Sequence, residues 1–249
     1  MGLTLHYRLT APADVTARSA ATLVRRLHAT AGKFATAGRV DEVLPISSDR
    51  PDLDRFAHAW RALPHPSDPD TCVGVQIPAT AGWIFPVELG DDCELLWLGL
   101  CRYPARIVRD ERPLATRLSP RWQFAGFCKT QYASLHGWDH FARCHTAVVD
   151  LLRAASPLGL RVKINDEGGY WPHRRLPLLR ERLNQMNGIV AALAGAVKDA
   201  TDETGGPPVQ SPIFAHPRFE QFEAEGLAAQ PAHVRAAVDL LRSSAPGPL

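Results

Sequence analysis

The sequence predicts an α+β domain, a two-layer arrangement in which a mixed β-sheet is covered mainly on one face by helices and followed by a C-terminal helical tail. Three observations carry that expectation. The chain opens on strict alternation, its middle third is a run of short β-rich segments, and two later stretches repeat apolar residues at helical spacing. With 249 residues, 45% of them hydrophobic and 22% charged, the apolar surface suffices for a sizeable core.

In order, Leu3, Leu5, Tyr7 and Leu9 alternate with Thr4, His6 and Arg8, the pattern of a half-buried strand over 3–9. Pro12 and Asp14 end it. Ala20, Val24, Leu27, Ala31 and Phe34 then predict a helix over about 15–37, with Gly38 as a stop signal. A short strand follows over 40–46. Residues 47–71, rich in Pro, Asp and Ser, read as a long connection with one helical turn near 53–63. Strands resume over 72–78, 94–103 and 122–132, the last two separated by a polar segment, 104–120.

Phe141, Cys144, Val148, Leu152 and Ala155 place a helix over 139–155, which Pro157 and Gly159 break before a strand over 160–165. A crossover of this kind is right-handed, so the strands 122–132 and 160–165 are expected to lie parallel in one sheet. A further helix, 175–199, carries Leu179, Leu183, Met186, Val190, Leu193 and Val197 in register. The breaker-rich TGGPPVQSP divides the chain into a domain over 1–200 and a linker and tail over 201–249, with helical patterns at 217–226 and 232–243. Two strand–helix–strand units suggest a ferredoxin-like pseudo-duplication. The echo of GLCR at 99–102 in GFCK at 126–129 points the same way.

Charge narrows the partners. Against 28 basic residues stand 26 acidic ones, so no strong overall field draws in a polyanion, and neither a nucleic-acid partner nor a membrane is expected. A small-molecule ligand remains open, and nothing in the composition sets an oligomeric state. Five cysteines, an odd number without a CxxC pair, do not form a structural zinc motif or a disulfide framework. The N-terminus alternates instead of running apolar as a leader does, which makes a reducing cytoplasm the expected setting. No GxGxxG, GxxxxGK[ST] or GxSxG is present, so no dinucleotide or P-loop cofactor is indicated and the cofactor stays unassigned.

Two segments carry candidate chemistry, because ligands gather beyond the carboxyl ends of parallel strands. The first is FCKTQYAS, Phe127 to Ser134; the second is NDEGGYW, Asn165 to Trp171. Asp166 and Glu167 precede Gly168 and Gly169, which let the backbone turn freely, and then Tyr170. Such carboxylates serve as a general base or metal ligand, or form a solvated acidic turn. Lys129, on the strand face it shares with Gln131 and opposite Tyr132, would hold a phosphate or carboxylate as a point charge, or close the strand ends by pairing with Asp166 or Glu167. His145 lies at the margin of its helix's apolar stripe, either as a satisfied core histidine or as an acid–base partner to these groups.

The outward sheet positions, Thr4, His6, Arg8, Gln76, Gln123, Lys129, Gln131, Arg161, Lys163 and Asn165, make a polar, mildly basic face. That set contains no aromatic residue of the kind on which single-strand binders stack bases.

With FCKTQYAS, then Cys144 and His145, then NDEGGYW in this order, the chain resembles an uncharacterised family of bacterial proteins. The resemblance runs from the GLTLHYRL opening to the helix ending near Asp199 and leaves the last fifty residues outside. It implies that the two segments belong to one fold and brings no activity with it. The function expected from the residues is a small-molecule enzyme or binder of an anionic metabolite. Its catalytic candidates are Lys129, Asp166, Glu167 and His145, and its ligand-binding candidates are Gln131, Tyr132, Tyr170, Gly168 and Gly169. The competing expectation is a non-catalytic interaction module that uses the polar sheet face to bind protein or nucleic acid.

Overall fold

The opening alternation becomes β1 (Thr4–Thr10), whose Leu5, Tyr7 and Leu9 are buried while His6 and Arg8 face outward. The structure, a computed structural model, describes residues 3–65, 68–109 and 111–229, and the expected helix at 232–243 lies outside them. Thr16 caps α1 (Ala17–Thr36) by accepting a hydrogen bond from the Ser19 amide, and the stripe Ala20, Val24, Leu27, Ala31 turns inward.

Where a long connection was expected the chain is ordered. After β2 (Glu42–Val43), shorter than the expected 40–46, come α2 (Arg50–Phe56) and a hairpin of β3 (His58–His65) and β4 (Asp68–Pro78). Pro and Asp here mark the start of a short helix, with Pro51 in its first turn, instead of an irregular loop. β5 (Ala81–Glu88), which the sequence reading left out, pairs with β6 (Leu96–Arg102), and a small hairpin of β7 (Arg106–Arg109) and β8 (Arg112–Ala115) fills the polar segment. β9 (Gln123–Lys129), α3 (Trp138–Ala154), β10 (Arg161–Asp166), α4 (Leu176–Thr204) and α5 (Phe219–Ala229) complete the described order.

The main sheet runs β10-β1-β9-β6-β5-β2, and every neighbouring pair is antiparallel. The fold is α+β, but the sheet is antiparallel where a mixed one was expected. β9 and β10 do point the same way across the α3 crossover, yet β1 lies between them and pairs with both. The inner strands β10-β1-β9-β6 with α1 and α3 therefore interleave two split strand–helix–strand units, the ferredoxin-like arrangement. The GLCR and GFCK echo does not reflect this repeat, since β6 closes the first unit and β9 opens the second.

Helices α1 and α3 share one core with the inward faces of these strands, where Phe85 meets His28 of α1 edge-on at 4.9 Å. Leu179 and Leu183 bring the start of α4 into it. Further along, α4 meets α5 around Ala191, Ile213 and Phe222, so the tail is attached by a small core of its own. On the opposite sheet face Phe56 of α2 stacks on Trp97 of β6 with ring centroids 4.0 Å apart. That leaves the outward face of β9, β1 and β10 beside the β3–β4 hairpin.

One irregularity shapes this face. β6 and β9 are in register only at Cys101 and Gln123 and then part. Into the gap reaches Tyr7 of β1, whose hydroxyl donates to the Trp97 carbonyl, passing β9 at Gly126, where a Cβ would sit 2.6 Å from the tyrosine oxygen. Removing the hydroxyl in Tyr7→Phe is expected to cost about 0.5–1.5 kcal/mol. Gly126→Ala, which forces the ring to move, should cost about 1–3 kcal/mol. Urea unfolding of the two variants beside the parent measures both.

Candidate functional site

The two segments singled out in the sequence meet at one end of the sheet. β9 stops at Lys129, three residues earlier than its expected extent, because Gln131–His136 tightens into a 3-10 turn. Lys129 and Gln131 consequently do not share a strand face. The Gln131 side chain is buried, accepting from the Leu3 amide at 3.1 Å and donating to Asn187 of α4 at 2.7 Å. Tyr132 lies under Lys129, whose Nζ sits 4.5 Å from the ring centroid.

At the centre of this end is a closed polar chain. Thr130 Oγ1 and His145 Nδ1 share a hydrogen bond of 2.8 Å, and His145 Nε2 lies 3.1 Å from Asp166 Oδ1. The Nε2 approach is close but poorly aligned for a directional hydrogen bond. The Asp166 carboxylate also accepts the Gly168 amide at 2.7 Å and the Trp171 amide at 2.8 Å, folding NDEGGYW back on itself. Gly169 takes a left-handed φ of 68° in that turn, and Tyr170 packs edge-on to His145 with centroids 6.3 Å apart.

The side chains of His145 and Asp166 are both 0% exposed. Of the two expectations for His145, acid–base partner or core histidine, the first needs these groups within a ligand's reach, and here both are enclosed against each other and the backbone. Burial pushes the Asp166 carboxyl up, but the His145 contact and the two amides outweigh it and hold it below the ordinary 3.8. Gly168 is required at its position by close approach, since a Cβ would lie 2.7 Å from Leu179 Cδ1 and 2.9 Å from His145 Cε1.

Lys129 and Glu167 stand on either side of β1. Lys129 is the register partner of Thr4 on β9, while Glu167 accepts the Thr4 amide at 2.9 Å from the β10 side and lies 3.6 Å from His6 Nε2. Two strand spacings, about 10 Å, separate their backbones. Among the described residues no ion pair joins Lys129 to Asp166 or Glu167.

The accessible polar site lies on the outward face instead. Register builds two rows across three strands: Lys163, Arg8 and Ala125 in one, Asn165, His6 and Phe127 in the next. The β3 residues His58, Trp60 and Arg61 stand beside them and help line a cavity of about 560 Å³. A second cavity of about 460 Å³ runs on over the parted strands β6 and β9, and the two share His58, Trp60 and Phe127.

Arg8 and Lys163 are opposite one another in the ladder, a repulsive placement, and among the described residues neither has an acidic partner. Two polar atoms at this cavity, Arg61 Nε and the Tyr103 hydroxyl, are buried without a hydrogen-bond partner among the described residues. Burial and the nearby Cys101 push Tyr103 up, against the opposing pull of Arg8. Sequence reasoning missed the aromatic part of this site. Trp60 is 62% exposed and Phe127 57% exposed, and the signal for Phe127 was present, since alternation from Lys129 puts it on the outward face. Trp60 sat in a stretch read as connection.

Elsewhere, Cys93 comes against Cys128 and Cys144 and is pushed up by the Cys128 contact, while Cys144 is pushed up by Cys93 and by burial. These are poor thiolates. Among the described residues no group of three His, Cys, Asp or Glu side chains is arranged to hold a metal ion, and no helix is long and apolar enough to cross a membrane. No family model, curated protein or solved structure matches this chain.

Asp166→Asn is expected to lower stability near neutral pH by about 1–3 kcal/mol, the cost of weakening a buried hydrogen-bonded charge. Because the folded-state value lies below 3.8, that contribution is present above 3.8 and fades as pH falls through the folded value. The gap between parent and variant should therefore close on acidification. Paired urea titrations at neutral pH and at a series of acidic values measure it.

Proposed function

We propose that the protein binds an anionic ligand on the outward face of β1, β9 and β10, with Arg8, Lys163 and Arg61 as its charged contacts and the Tyr103 hydroxyl as a neutral donor. The observation that carries this reading is the opposition of Arg8 and Lys163 at a cavity that no described carboxylate lines. Two like charges directly across a ladder repel, and an anion between them turns that repulsion into attraction. The unpartnered Arg61 Nε and Tyr103 hydroxyl support it, since a phosphate or carboxylate oxygen satisfies buried donors left without partners in the free protein.

This reading keeps the anionic ligand expected from the sequence and moves it along β1. His145, Asp166, Gln131, Tyr170 and the glycine pair become the frame of the sheet's end, and Lys129 and Glu167 flank the face at that end. The Glu167 carboxylate, near His6, sets an acidic limit to the basic surface.

A thermal-shift titration with inorganic pyrophosphate and triphosphate tests the reading. A ligand at a hundred times its Kd stabilises by about 2.7 kcal/mol, or roughly 5–10 °C in a chain of this size. The rise should vanish in Arg8→Ala and Lys163→Ala and persist in Lys198→Ala, whose residue lies in α4 and pairs with Asp202. A parent protein indifferent to every anion, or Arg8→Ala responding as the parent does, overturns it.

A further inference from the structure

We infer that the ligand of this face is a single-stranded nucleic acid, its phosphates held by the cations of β1, β10 and β3 and its bases stacked on Trp60 and Phe127. The inference rests on the anion-binding reading above and names the class of anion. Three features select a strand over a small anion.

The first is the placement of apolar surface. Trp60 and Phe127 are large aromatics left 62% and 57% exposed, and both line the two cavities where these meet. Flat rings displayed beside cations that no described carboxylate pairs suit a ligand that alternates charged linkages with π-faces, as a polynucleotide does. A lone phosphate or carboxylate has no use for the rings. Phe127 also sits against His6 on the adjoining strand, with centroids 6.2 Å apart, so the two central strands together present a mixed aromatic platform.

The second is extent. The outward cations on β10, Arg161 and Lys163, and the exposed Asn165 beyond them span five residues, about 13 Å of strand from first to last, and Arg8 and Arg61 widen the field sideways. This is longer than one phosphate and open along its length. The third is the nature of the walls. The first cavity is lined by no described carboxylate, and Glu94 enters only at the second. A backbone bearing one negative charge per nucleotide therefore meets cations through the first cavity, up to the Glu167 carboxylate that lies 3.6 Å from His6 Nε2 at its margin. The rings must meet unpaired base faces, which a duplex keeps inside its own stack.

Fluorescence anisotropy with a labelled oligouridylate of about 12 nucleotides, within the usual span of single-strand sites, tests this. The parent should bind it with an affinity that falls linearly in log salt, and a duplex of equal length more weakly. Trp60→Ala and Phe127→Ala should each weaken binding roughly five- to a hundredfold. The Phe127→Leu variant, which keeps bulk and loses the ring, should do the same. None of the three should alter the thermal shift given by inorganic triphosphate. Arg8→Ala should weaken both ligands and reduce the salt slope by about one.

An abasic strand of the same length separates the two readings. If it binds as tightly as oligouridylate, or if the aromatic variants bind like the parent, the nucleic-acid inference is overturned, while an Arg8-dependent response to triphosphate leaves the anion site standing. If oligouridylate and triphosphate both fail to bind, both readings fall.

Discussion

Everything at the closed end of the sheet depends on the buried contact between His145 and Asp166. It joins α3 to the end of β10, and through Thr130 it reaches the end of β9, so one imidazole holds both ends of this strand–helix–strand crossover. Enclosing a carboxylate is costly, and here the amides of Gly168 and Trp171 offset that cost together with the ring. The glycines follow from the same contact: any Cβ at Gly168 would intrude between His145 and Leu179. Residues that resemble an active site when read in a line are thus occupied with one another. The surface left for a partner is the one their contact positions.

That surface is organised by β1. It is the central strand of its half of the sheet, bonded on both edges, and its two faces have separate duties. Leu5, Tyr7 and Leu9 anchor the core, and His6 and Arg8 align the outward rows. Tyr7 crosses beneath β9 to hold the Trp97 carbonyl, which keeps β6 and β9 apart and continues the groove between them. A single strand therefore sets the floor, the charge and the length of the groove.

Much of this was legible in the residues. Period-2 and period-3.6 patterns located β1, α1, α3, β10 and α4 to within a few positions, because each buries one face against a common core. The neighbour relations of the strands were less accessible. A crossover fixes that β9 and β10 share a direction, but no local pattern says that β1, more than a hundred residues earlier, inserts between them. The candidate site was half visible for a similar reason. The proximity of the segments around Lys129 and Asp166 followed from the crossover, but the burial of His145 and Asp166 depends on Leu179 and Tyr170 closing over them. Trp60 belongs to a hairpin whose Pro and Asp content disguises it as loop, so the aromatic side of the groove could not be assembled from strands alone.

The interleaving of the strands has a bearing on synthesis. Arg8 leaves the ribosome some 155 residues before Lys163, yet the two sit side by side. Until β10 docks, Arg8 has neither its opposing cation nor the strand edge that carries Asn165. The basic face is thus a property of the finished domain, and a partly made chain displays a core edge in its place.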